Sequence, residues 1–316
     1  MNGQYYSGAD VSFVKVIGLL MSSLVIALGH RRKQKPESLG RFLLAVLRDF
    51  AMFFFAIVSR RVRVVLTVYA WFRCVDDVID GDAPCPGGTP EQYLTKKKSV
   101  LQKLIKGGVW VSEDDIMLAY ALTMAKKMDF DLTEELSDLF QLMADDFKRR
   151  VSGHLFSERE RIEYATAQDR AILGCVAKVF SGSVIQLATL LVPAEGVLTR
   201  IDWLKDCLSD LHKGIVYISQ EDAQNFNLDF DALSRATSWF ELMAVPGFTA
   251  WYRRELGRLT KLWVDLESKA SQEFSMVFSQ TWLAKALVLF LFPKFRRSLK
   301  TVSERSIIGL DINSAH

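Results

Sequence analysis

Three aspartates spaced by four, Asp202, Asp206 and Asp210, run through the segment DWLKDCLSDL. Only an α-helix turns that spacing into one face, because residues four apart stack one turn above each other. Trp203, Leu204, Cys207, Leu208 and Leu211 cover much of the remaining surface, so this acidic helix must also pack against a core. An earlier stretch, YAWFRCVDDVIDGD at residues 69–82, repeats the theme. Asp76 and Asp80 are four apart, with Asp77 beside them, in a run otherwise made of Trp, Phe, Val and Ile. Like charges at that distance repel, and apolar surroundings raise the cost. A divalent cation removes the conflict. Carboxylate oxygens at this density suit Mg²⁺, which keeps several waters and takes its remaining ligands from a substrate phosphate. Taken alone, the first stretch reads equally well as a solvated helix end running into the Gly81-Asp82 turn. The recurrence of the spacing favours the metal.

Two such helices facing each other would hold several Mg²⁺ ions between Asp76, Asp77 and Asp80 on one side and Asp202, Asp206 and Asp210 on the other. Lys213, just past the ladder, can meet a diphosphate oxygen as a point charge. The remaining composition fits an all-helical protein. Half of the 316 residues are hydrophobic, only 7 are Pro, and no strand pattern or repeat is visible, which suits long helices around an extensive core. A net charge of +3 is too small to argue for nucleic acid. Cys74, Cys85, Cys175 and Cys207 lack metal-ligand spacing, so reduced thiols and a cytoplasmic setting are expected.

These motifs resemble those of the squalene/phytoene synthase family. Tyr69, Ala70, Arg73, Asp76, Asp77 and Asp80 match its Y-A-x-x-R-x-x-D-D/E-x-x-D stretch. Lys205, Asp206, Asp210, Gly214, Tyr217, Gln220, Glu221 and Asp222 match its second motif. The resemblance covers about residues 40–300. It implies one all-α isoprenoid-synthase-like domain there, a helical bundle around a central cavity, flanked by residues 1–39 and a tail at 301–316. It also implies Mg²⁺ on the diphosphate of an allylic prenyl substrate, catalytic roles for Asp76, Asp80, Asp206, Asp210 and Tyr217, and substrate contacts from Arg73 and Lys213.

Other segments either extend or depart from the resemblance. The apolar run 11–29 and the basic Arg31, Arg32, Lys33 and Lys35 suit a buried or membrane-surface helix better than a span, leaving peripheral membrane contact open. The helix beginning at residue 40 is apolar apart from Arg48 and Asp49, which stand where relatives carry a Ser-x-Ser before Phe50. Arg61 and Arg63 fall near a phosphate-binding arginine of relatives, with plain surface arginines as the alternative. Ser112-Glu113-Asp114 reads as a helix N-cap. Asp146 and Arg150 end an amphipathic helix, as diphosphate neighbours or as a solvated terminus. Asp169 and Arg170 replace small residues of the family, and either meet a polar group in the cavity or face solvent. Tyr252, Arg253 and Arg254 could close the phosphate end, and 281–295 could dock on a bilayer. His212 is read as neither base nor ligand.

Three functions follow in order of preference. The first is Mg²⁺-dependent, head-to-head condensation of two prenyl diphosphates. The second transfers the prenyl group to a non-prenyl, aromatic small-molecule acceptor, which Asp169-Arg170 would favour. The third is a non-catalytic assembly factor of the same fold, which the retained acid motifs argue against.

Overall fold

Ser59 starts the first helix of the computed structural model, which describes residues 59–108, 115–180, 195–277 and 296–305. Its extended backbone lets the hydroxyl accept from the Val62 amide at 3.4 Å, satisfying one orphan donor of the first turn. The helix, α1 (Arg60–Ile79), buries Val64, Val68, Trp71, Val75 and Val78, a stripe at alternating spacings of four and three. Arg73, Asp76 and Asp77 lie off that stripe. Asp80 caps the end, and Gly81 in the left-handed region turns the chain away.

Thr89 and Gln92 form a reciprocal capping box on α2 (Pro90–Ile105), with Pro90 at its first position. Both residues suit a helix start. α3 (Ile116–Lys127) packs on α1 and α2. Asp115 at its start is fully buried, receiving the Lys97 ammonium at 2.7 Å and the Trp71 indole N–H at 3.1 Å. One carboxylate therefore ties all three helices together.

The chain divides into two compact units, Met1–Phe140 and Gln141–His316, the boundary lying inside α4 (Thr133–Val151). The second unit is built on α5 (Glu158–Phe180), α6 (Val197–His212), three short helices α7 (Gln220–Asn225), α8 (Phe230–Arg235) and α9 (Trp239–Ala244), and the long α10 (Phe248–Val277). A last helix, α11, covers 296–305. α6 is the hub, packing on α5, α8 and α10. Its buried residues Val197, Ile201, Leu204 and Leu211 join Trp251, Tyr252, Leu259 and Trp263 of α10 in one core. Tyr252 is therefore a core residue, its hydroxyl donating to the Val302 carbonyl of α11 at 3.4 Å.

Every regular element among the described residues is helical, as the apolar periodicity requires. No described helix is long and apolar enough to cross a membrane. The 11–29 run, the basic residues 31–35, the helix with Arg48, Asp49 and Phe50, the Ser112-Glu113-Asp114 cap and the 281–295 run lie outside the described residues.

Gly196 sets how closely α5 and α6 approach. Its φ is +66°, and a Cβ there would sit 2.3 Å from Ala165 Cβ and 2.4 Å from the Ala165 carbonyl carbon. Both the backbone conformation and the space exclude a side chain. Gly196→Ala should lower stability by about 2–3 kcal/mol, read as a reduced urea midpoint. An unchanged midpoint would contradict this close approach.

Candidate functional site

Each acid motif carries its own cation. On α1, Arg73 meets Asp76 at 3.0 Å and Asp77 at 2.7 Å, and lies 3.9 Å from Asp82. On α6, Lys205 meets Asp202 at 2.7 Å and Asp206 at 3.2 Å. Burial opposes the charge on Lys205, yet the two carboxylates outweigh it and raise its pKa. The helical geometry explains both cases, since residues three and four apart share a face. Arg73 is about half exposed and Asp206 likewise, so these pairs exchange readily with solvent and with other charges.

Asp202, Asp206 and Asp210 do stand on the face of α6 away from its buried stripe, half-buried, exposed and half-buried in turn. Asp210 also borders a cavity of about 20 Å³ with Trp203, Tyr217, Arg200 and Glu255. That volume holds a single water; no prenyl tail fits it. The helix ends in a Schellman turn, with Gly214 N–H bonded to Leu211 O and Ile215 N–H to Asp210 O. Gly214 supplies the positive φ of +71° that this turn requires.

The turn carries Tyr217 back over α6. Its ring stacks on Trp203 at 4.2 Å, nearly parallel, and Trp203 stacks on Tyr164 at 6.0 Å. Arg149 of α4 lies over Phe156 at 4.0 Å and over Tyr217 at 5.7 Å. It also donates to the Val216 and His154 carbonyls and to Asp146. Burial, then the fields of Asp146, Tyr164 and Asp210, pushes the Tyr217 phenol well above its ordinary range. Tyr217 is therefore protonated at neutral pH, a donor and not a base. The end of α4 is correspondingly not a solvated terminus at Asp146 and Arg149, which are buried. Arg150 Nε lies 3.1 Å from the second Asp146 oxygen.

Asp169 has a task that its sequence context conceals. Its carboxylate is buried and accepts from the Leu198 amide at 3.0 Å, the Thr199 amide at 3.0 Å and the Thr199 hydroxyl at 2.6 Å. It thus closes the first turn of α6 from the neighbouring helix. Arg170 points to solvent. The two side chains diverge, as adjacent helical residues do, so one faces inward and not both to solvent; the polar group that Asp169 meets is the first turn of α6. Among the other expected contacts, Arg63 is buried with its guanidinium donating to the Tyr120 hydroxyl at 2.8 Å, Arg61 is half-buried and Lys213 is exposed. Glu221 accepts from the Glu158 amide, and buried Asp222 binds the Trp251 indole and Arg254. His212 contacts the Ala236 carbonyl.

Sequence reasoning missed a buried ionic cluster. Glu255 of α10 receives Arg161 of α5 at 3.0 Å and Arg200 of α6 at 2.7 Å. Glu158 bonds Arg161 at 2.9 Å, and Arg258 joins Glu158 and Glu195. Burial would raise the Glu255 carboxyl, but the two guanidinium groups hold it at about 2. The available signal was an arginine flanked by apolar residues in VLTRIDWL.

The donor set suits Mg²⁺. The oxygens are hard, partly solvated and arranged as one or two carboxylates per turn. Among the described residues, no three His, Cys, Asp or Glu converge as a metal-binding group.

Comparison with solved structures finds a dehydrosqualene synthase crystallised with a ligand, at a TM-score of 0.53 and 15% identity, covering 94% of this chain and 87% of that one. The chain has the all-α isoprenoid-synthase fold. No family model and no curated protein matches its sequence.

The cluster and the cap give the molecule two opposite pH dependences. Glu255 has a folded pKa of about 2 against an ordinary 4.5. Its contribution is present above 4.5 and is lost as pH falls towards 2, a difference of about 3 kcal/mol. Burial pushes Asp169 up to about 6 from 3.8, against its three hydrogen bonds. Its contribution is present below 3.8 and is lost as pH rises through 6. Denaturation of Glu255→Gln across pH 2–6 should show a smaller acid-side loss than the wild type, the remainder coming from other carboxylates such as Glu158. Parallel profiles would contradict the assignment.

Proposed function

We propose that the protein is a prenyltransferase of the squalene/phytoene synthase type, which ionises an allylic prenyl diphosphate and couples the cation to a second prenyl diphosphate. The observation that carries this reading is the pair of acid motifs with internal cations, set on a fold shared with a dehydrosqualene synthase. Asp76, Asp77, Asp80, Asp202, Asp206 and Asp210 would hold Mg²⁺. The ion, when bound, neutralises the leaving diphosphate as a Lewis acid.

The chain's own residues do the rest. The allylic C–O bond breaks with its electron pair leaving on the diphosphate. Arg73, Lys205 and Lys213 supply fixed positive charge for that group. Displacing Arg73 from its carboxylates costs little, because exposed pairs of this kind are worth about 0–1 kcal/mol. The double bond of the second prenyl chain then attacks the cation, and a proton is lost from the adduct. Its remaining C–O bond breaks likewise, the electron pair leaving on the second diphosphate, and loss of a further proton gives the hydrocarbon. Tyr217, kept protonated by its burial, removes neither proton. A polar, non-prenyl acceptor loses its chief support, since Asp169 is bonded to α6 and Arg170 is exposed.

Purified protein with Mg²⁺ and farnesyl or geranylgeranyl diphosphate, and no hydride donor, should release pyrophosphate and yield a dehydrosqualene- or phytoene-type hydrocarbon. Asp80→Ala and Asp206→Ala should each reduce release by about 100-fold or more. Stability of Asp206→Ala should change by less than about 1 kcal/mol, because that side chain is largely solvated. Wild-type release rates in both variants would defeat the proposal.

A further inference from the structure

The apolar contacts that pack α6 against α5 and α10 do not by themselves fix its height. A row of Val, Ile and Leu side chains tolerates small sliding, whereas hydrogen bonds do not. Two buried polar anchors hold this helix. Asp169 grips the amides of Leu198 and Thr199 and the Thr199 hydroxyl, and Arg200 is clamped by Glu255. Gly196 lets α5 come close enough for the first grip. Asp202 follows Thr199 by three residues, less than one turn, and Asp206 and Asp210 follow at successive intervals of about 6 Å along the axis.

We propose that Asp169 is a positioning residue for the acid ladder, setting the axial position of α6 and through it the placement of Asp202, Asp206 and Asp210. This rests on the proposed prenyltransferase reading. Both Asp169 oxygens accept from α6, and the residue is 3% exposed, so it acts through the helix and not on substrate. A carboxylate suits three converging donors, since both of its oxygens accept. An Asn amide would turn an N–H₂ towards one of them. A Glu would keep the charge but insert a methylene between α5 and α6.

The test compares Asp169→Asn, Asp169→Glu and the milder Thr199→Val with Leu118→Ala. Leu118→Ala empties a fully buried site in the first unit and destabilises while leaving the hydrogen bonds from Asp169 to α6 in place. Well below the unfolding temperature, kcat for pyrophosphate release should fall about 10- to 100-fold in the Asp169 variants while KM changes less, as misplacement by about 1 Å produces. The Mg²⁺ concentration for half-maximal rate should rise severalfold. Leu118→Ala should lose less kcat than either Asp169 variant.

Amide hydrogen exchange supplies a readout that does not depend on turnover. Exchange should accelerate about 10-fold or more across residues 202–210 in Asp169→Asn, because the helix loses one of its two buried anchors. Acceleration confined to Leu198 and Thr199 would overturn the proposal, leaving Asp169 a local cap. A kcat loss no greater than that of Leu118→Ala would overturn it equally. If wild-type protein releases no pyrophosphate, the prenyltransferase reading fails, and the exchange pattern still decides whether Asp169 positions the ladder.

Discussion

A helix with three carboxylates on one face can sit in a core only if its other faces are bound firmly enough to hold it there. In α6 that hold is ionic as well as apolar. Glu255 lies between Arg161 and Arg200, joining α5, α6 and α10 through one buried carboxylate. Charges so far from water are tolerable because each is met by an opposite charge with directed hydrogen bonds, and removing one partner strands the rest. Burial and the neighbouring Arg161 and Arg258 hold the Arg200 guanidinium below its ordinary range, while Glu158 and Glu255 keep Arg161 above it. Both remain charged at neutral pH. The same logic recurs in the first unit, where Asp115, Lys97 and Trp71 link α1, α2 and α3.

The two acid motifs contrast with these buried groups. Their carboxylates are partly solvated and their cations, Arg73 and Lys205, lie on the same helices. Local pairing relieves repulsion when no ligand is bound, and its weakness leaves the oxygens available to an ion. Strong pairs hold the scaffold, and weak pairs lie at the proposed site. The aromatic stack of Tyr164, Trp203 and Tyr217, bracketed by Arg149, gives the return turn after Gly214 a rigid surface on which to lie.

Much of this was legible in the residues. The four-residue spacing of Asp202, Asp206 and Asp210 requires a helix, and the interleaved Leu and Ile show which side packs. Gly214 announces the turn, and the paired motifs lead to an all-α prenyltransferase-like fold, which the likeness to a dehydrosqualene synthase supports at the level of fold. Asp169 was not legible. Its donors belong to a different helix, and a residue-by-residue comparison with the family expects small side chains there. Arg161, Arg200 and Glu255 each read alone as solvated charges; their meaning lies in a three-helix contact that no spacing rule encodes. Arg63 and Asp146 carried a phosphate-side reading and a solvated one, and their burial excludes the solvated one.

The central claim is that the solvated carboxylates receive a diphosphate through divalent ions while the buried ones hold the helices. Calorimetric titration with a non-ionising prenyl thiodiphosphate tests it most directly. Binding should be saturable in Mg²⁺ and abolished by a chelator. It should weaken by about 10-fold or more in Asp206→Asn, the loss expected for one well-placed charged contact of about 1.4 kcal/mol or more. Equal affinity with and without Mg²⁺, or in wild-type protein and Asp206→Asn, would contradict the account.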